Sequence, residues 1–160
     1  MKINDVLSLI KKSKTVYLGT ISSEGTPEIR ALLNLANDKS YPKLKDKAVT
    51  VEDETFTIYF TTNTSSRKTA QMRANPNIAF YYCIPEKFLG SCLTGTVEEI
   101  KDLEVKKSFW QTGWTIYYHK GVTDPDYALF KFTSKAVHCW GGFSVHNFGE
   151  EIAKENVEEF

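Results

Sequence analysis

The spacing of apolar positions changes along the chain, and each spacing predicts an element. Near the start, Ile3, Val6, Leu7, Leu9 and Ile10 recur at helical intervals. Lys11 and Lys12 follow where a helix C-terminus favours cations, so a short amphipathic helix is predicted over residues 3–13. The pattern then turns to β-branched and aromatic residues. Thr15 to Ile21 reads as a strand and Ser22 to Pro27 as a turn in which Gly25 can adopt positive φ. Glu28 to Leu35 reads as the returning strand of a hairpin. Thr55 to Thr62, Asn77 to Cys83, Ser91 to Glu98, Tyr127 to Thr133 and Ala136 to Trp140 complete the strands. Gly95 marks a bulge or a close backbone approach within its strand.

Two internal helices are predicted. One is capped by Ser or Thr at 64–66, runs to Ala74 and is stopped by Asn75-Pro76. The other covers 99–112, where Ile100, Leu103, Val105, Phe109 and Trp110 recur, and ends at Gly113. Residues 36–54 are polar and rich in lysine, which predicts a solvated insertion. Residues 141–160 carry Glu150, Glu151, Glu155, Glu158 and Glu159 against Lys154, an acidic tail. Helices fall too irregularly among the strands for βαβ units, and no repeat of 20–50 residues occurs. The predicted class is mainly β (α+β): an antiparallel barrel with flanking short helices, one domain over residues 1–160.

Composition narrows the function. A chain of 160 residues with 41% hydrophobic and 25% charged positions can bury a sizeable core. Lys+Arg and Asp+Glu are equal at 20 each, which argues against a nucleic-acid partner, since a duplex-coating protein carries a basic excess. No apolar run approaches the roughly 20 residues of a membrane helix, and the N-terminus lacks the apolar core of a signal peptide. Cys83, Cys92 and Cys139 lie too far apart for a C-x-x-C site and read as reduced thiols, so a cytoplasmic location is expected.

Two segments carry candidate chemistry. Ser65-Ser66-Arg67-Lys68 follows a strand and opens a helix. A helix N-terminus presents free amides and a positive dipole end, and Arg can fork onto a phosphate, so this segment can form a phosphate pocket. A capped helix with two solvated basic residues is the alternative. Arg30 interrupts the apolar run Ile29-Arg30-Ala31-Leu32-Leu33. A charge there needs an anion, either a bound ligand or a neighbouring carboxylate. His119, His138 and His146 lack metal-ligand spacing, so no metal is expected. No nucleotide-loop or hydrolase-elbow motif occurs, and no catalytic side chain stands out.

In order, Gly25-Thr26-Pro27-Glu28-Ile29-Arg30-Ala31-Leu32, then Phe60-Thr61-Thr62 leading to Ser66-Arg67-Lys68, then Ala74-Asn75-Pro76, resembles the pyridoxamine 5′-phosphate oxidase-like family. Gly95-Thr96-Val97-Glu98 and Cys139-Trp140 extend the resemblance, which covers roughly residues 12–141. It implies an FMN-binding split β-barrel with Greek-key character, a homodimer with the flavin between subunits. By the same resemblance, Arg30 and Lys68 would hold the FMN phosphate, with Ser66 and Arg67 beside them. Ala31, Leu32 and Leu33 would run along the flavin, and Thr61 and Thr62 would contact its ring or ribityl chain. Gly90 and Ser91 would approach from the partner subunit, and Trp140 would border the ring system.

The chain departs from true pyridoxine-phosphate oxidases. No Arg follows Arg73, the family's substrate lysine falls at about Leu35, and the stretch Ser108 to Thr112 lacks the family's Tyr and Arg. A substrate phosphate would be poorly held, so the general-stress-protein and nitroimidazole-reductase-like branches are the better match. The expected function is a flavin-dependent oxidoreductase acting on a small molecule, with a reduced nicotinamide as possible donor. The alternative is a non-catalytic flavin, haem or deazaflavin carrier or sensor.

Overall fold

The computed structural model describes residues 1–149. Its elements in chain order are α1 (Ile3–Lys12), β1 (Thr15–Ile21), β2 (Pro27–Leu33), α2 (Lys45–Ala48), β3 (Val49–Glu52), β4 (Thr55–Asn63), α3 (Arg67–Ala74), β5 (Asn77–Ile84), β6 (Leu89–Ile100), α4 (Leu103–Phe109), β7 (Tyr127–Gly141) and β8 (Ser144–Gly149). Every strand pairing is antiparallel. The sheet runs β2-β1-β5-β6-β7-β4-β3, with β8 added to β7. The mainly β class with short helices is therefore what the chain adopts. Among the described residues, no helix is long and apolar enough to cross a membrane.

Alternation along the strands explains how the sheet encloses a core. In β4, Phe56, Ile58, Phe60 and Thr62 are buried while the residues between them are partly exposed. Phe60 meets Phe80 edge-on at 5.0 Å between ring centroids, and Phe80 meets Phe132 at 5.1 Å. Tilted and edge-to-face contacts of this kind suit the ring quadrupole. Gly95 sits at a register shift in the β6–β7 ladder, where an added Cβ would lie 2.1 Å from the Thr133 carbonyl oxygen. The bulge thus requires glycine, as its position in the strand predicted.

The structure corrects four boundaries. Residues 36–54 are not a solvated insertion: Ala36, Leu44, Ala48 and Val49 are buried, and β3 pairs with β4. The surface lysines of this stretch obscure the apolar positions between them. Its entrance also closes α1. Asn34 Nδ2 donates to the carbonyls of Ile10 and Ser13 at 2.7 and 2.8 Å, and Asn37 Nδ2 donates to Ser13 at 3.0 Å. These bonds satisfy carbonyls that a helix end leaves open. The predicted helix over 99–112 shrinks to α4, because β6 continues to Ile100 along β7. The two late strands are one, β7, since Ser134 and Ala136 turn inward and hold the ladder together. Finally, the 141–160 tail begins as β8, with Trp140 opposite Val145. The glutamates at 150–160 lie outside the described residues.

Candidate functional site

The split in the barrel positions the site. β4 pairs with β3 only through Thr55–Ile58, so the other half of β4 has β7 on one side and no strand on the other. The end of β2 faces that unpaired half. Between them lies a groove of about 400 Å³, lined by Ala31, Leu32, Leu33, Thr61, Thr62 and Lys68. Trp114, Tyr117 and Tyr118 wall its far side. Burial pushes the Tyr118 phenol up to about 12, so it is a neutral hydroxyl at physiological pH.

One end of the groove opens onto a notch lined by Glu28, Ile29, Arg30, Ser66, Arg67 and Lys68. The chain brings these residues together through a loop tied down by one carboxylate. Asp126 accepts from Asn63 Nδ2 at 2.6 Å, Thr64 Oγ1 at 3.0 Å and the Ser65 amide at 2.7 Å. These bonds, that from Asn63 above all, hold the Asp126 carboxyl at about 2. The loop then delivers Ser66 to the first turn of α3. Ser66 occupies the cap position, but its hydroxyl donates back to the Asn63 carbonyl at 2.7 Å instead of accepting from the helix. Among the described residues, the amides of Arg67 and Lys68 donate to no acceptor.

Lys68 is half-buried in this notch and pairs with no carboxylate among the described residues. Burial lowers its pKa first and the Arg30 guanidinium second, with Asp126 partly opposing them. A desolvated cation repelled by a neighbouring cation is stabilised by an arriving anion. Arg30 differs. Its Nη1 donates to the Leu18 carbonyl at 3.3 Å, the Glu28 carbonyl at 3.1 Å and the Thr20 hydroxyl. Its Nη2 donates to Glu28 Oε2 at 3.3 Å and Gln71 Oε1 at 3.2 Å. Of the two readings open to Arg30, the carboxylate partner is the one present in this chain.

The residues present suit a terminal phosphate: Arg30, Arg67 and Lys68 line the notch, open amides lie at the start of α3, and among the described residues Lys68 lacks a counter-ion. Nine of the sequence-predicted residues therefore gather in one place: Arg30, Ala31, Leu32, Leu33, Thr61, Thr62, Ser66, Arg67 and Lys68. Gly90, Ser91 and Trp140 lie apart from them within the chain. Gly90 packs beneath Trp140, where an added Cβ would fall 2.1 Å from Cζ2. Trp140 also stacks on Tyr81 at 5.3 Å. Ser91 is fully buried, and its hydroxyl has no partner among the described residues. Sequence reasoning missed Thr20, Gln71, Asp126 and the Trp114–Tyr118 wall. The Asp124-Pro125-Asp126 turn was legible, but its docking onto residues 63–65 is a long-range contact without a local signal.

Comparison with known proteins identifies the family and the fold. No curated protein matches the chain. A solved protein from Clostridium acetobutylicum, described as related to general stress protein 26 of B. subtilis (pyridoxinephosphate oxidase family), is 29% identical. The match covers 92% of this chain and 93% of that one, with a TM-score of 0.70. A NimC/NimA family protein from the same organism is 19% identical over 91% and 90% of the two chains, with a TM-score of 0.63. A pyridoxamine 5′-phosphate oxidase-related, FMN-binding protein from Nostoc punctiforme is 14% identical over 96% and 91%, with a TM-score of 0.58. The family described as pyridoxamine 5′-phosphate oxidase matches residues 4–141, nearly the whole span from α1 to the end of β7. The chain belongs to the pyridoxamine 5′-phosphate oxidase family, with the split-barrel fold of its general-stress-protein and NimC/NimA relatives.

Proposed function

We propose that the protein is an FMN-dependent oxidoreductase acting on a small organic molecule and working as a homodimer. The half-buried Lys68, without a carboxylate partner among the described residues and beside Arg30 and the start of α3, is the observation that carries the reading. Lys68, the Arg67 and Lys68 amides and Arg30 would hold the phosphate of FMN. Ala31, Leu32 and Leu33 would support the ring along β2, and Thr61 and Thr62 would offer hydroxyls to the ribityl chain. FMN, when bound, would supply hydride transfer between a reduced nicotinamide and an organic acceptor. The chain's own task is to bind, orient and exclude water, which an apolar groove walled by Trp114, Tyr117 and Tyr118 suits.

A second phosphate on the substrate is unsupported. Leu35 is buried in the core, where a substrate-binding lysine would be needed, and among the described residues the groove is lined by no cation besides Lys68. The activity proposed is therefore not pyridoxine-phosphate oxidation. The dimer is proposed from the outer face of the sheet. Ile29, Leu33, Trp140 and Val145 are exposed there, and a partner would cover them while bringing its Gly90–Trp140 edge to the groove. Three free thiols accord with a cytoplasmic protein.

The purified protein is expected to be yellow, with a flavin absorption spectrum, and to release FMN by mass. Loaded protein should oxidise a reduced nicotinamide steadily when given small organic acceptors. Haem or a deazaflavin in place of FMN would overturn the cofactor. Bound FMN without turnover across a panel of donors and acceptors would replace the enzyme with a flavin carrier.

A further inference from the structure

Arg30 and Arg67 both reach into the notch, yet both are held by the same side chain. Glu28 Oε2 accepts from Arg30 Nη2 at 3.3 Å, and Glu28 Oε1 pairs with Arg67 Nη2. Glu28 lies two residues before Arg30 on β2, so the two side chains share one face of the strand. Its carboxylate lines the notch alongside Ser66, Arg67 and Lys68, and its side chain is only 26% exposed.

We infer that Glu28 is an internal anion of the cofactor notch, one that a bound phosphate must displace and that sets how tightly the cofactor is held. The inference rests on the phosphate reading of the notch given above. Counting donors leads to it. Arg30 carries four N–H bonds on its two terminal nitrogens, and five acceptors of the chain surround them. An incoming phosphate gains the fork of Arg30 only by taking the place of an acceptor already there. Leu18 and the Glu28 carbonyl are fixed by the β1–β2 ladder. Thr20 and Gln71 are tied to each other by a 2.6 Å hydrogen bond. The Glu28 carboxylate is the acceptor free to rotate away.

The consequence is a carboxylate that opposes cofactor binding while ordering the arginines of the notch. Its single negative charge bridges two guanidiniums and offsets part of their repulsion for each other and for Lys68. A dianionic phosphate arriving beside it meets a like charge at contact range. Such an internal competitor favours ligands with enough negative charge to win the exchange. It leaves a flavin without phosphate unaffected, because that flavin never meets the notch.

The test compares FMN with riboflavin, which lacks the phosphate, by quenching of flavin fluorescence on the full chain. Wild type, Glu28→Gln and Glu28→Ala are titrated with each, and circular dichroism checks that each variant is folded. Glu28→Gln keeps the size of the side chain and one acceptor oxygen while removing its charge. It should tighten FMN binding by about tenfold, the effect of removing one like charge at close range, and leave riboflavin unchanged. Glu28→Ala should act in the same direction. If both variants bind FMN as wild type does or more weakly, Glu28 is a support for the arginines and the inference is wrong. If wild type itself does not prefer FMN to riboflavin, the phosphate notch fails and the inference falls with it, an outcome distinguishable from the first.

Discussion

The two faces of the same sheet do different work. On the inner face, Phe60, Phe80, Phe130 and Phe132 fill the barrel with almost no exposed surface. On the outer face, Ile29 and Leu33 of β2, Trp140 of β7 and Val145 of β8 are left in solvent. Strand alternation gives the sheet an inward and an outward set, so one face can carry fold stability while the other is free for the assembly proposed above. The difference teaches where mutations should act. Inner-face changes should unfold the chain, whereas outer-face changes should leave it folded and alone.

Phe80→Ala is expected to have the largest effect on folding, about 3–5 kcal/mol lost, because Phe80 is fully buried between Phe60 and Phe132. Denaturant unfolding measures it; a loss below about 1 kcal/mol would mean that the barrel interior is not packed as described. The outer face makes the contrast. Ile29→Lys with Val145→Lys should shift stability by no more than about 0.5 kcal/mol each. If the protein is the proposed homodimer, sedimentation should nonetheless show a wild-type dimer replaced by monomer in this variant. A dimer that survives both charges would place the interface elsewhere.

A smaller effect comes from acid, at the loop that delivers Ser66 to the notch. The Asp126 carboxyl titrates near 2 in the folded chain, below its ordinary value of 3.8. The folded state therefore binds that proton less readily than the unfolded one. Its contribution is complete above about pH 4 and fades as the pH falls towards 2. Glu99, held by Arg73 and also near 2, fades over the same range. Asp126→Asn should flatten the acid limb of a stability profile, and a limb of unchanged slope would discount the loop's anchor. Least of all, Lys131→Ala removes an exposed pair with Glu98 at 3.0 Å and should cost between 0 and about 1 kcal/mol.

What the sequence revealed was mostly local. Alternation in Thr55 to Thr62 and the turn at Gly25-Thr26-Pro27 were enough for β4 and the β1–β2 hairpin. The notch was legible because Ser66, Arg67 and Lys68 adjoin in sequence and Arg30 stands out within an apolar strand. What escaped depended on distance along the chain. Asn34 and Asn37 look like loop residues until they reach back to the end of α1. Charged neighbours hid the buried Leu44 and Val49. Glu28 read as an ordinary strand residue, because its significance lies in meeting an arginine 39 positions later.

The most direct test of the account is the affinity of the Arg30→Ala, Lys68→Ala double variant for FMN. Each charged hydrogen bond to the phosphate contributes about 1.5–3 kcal/mol, so a loss of several kcal/mol is predicted, with riboflavin binding unchanged. A folded double variant that binds FMN as tightly as the wild type would contradict it.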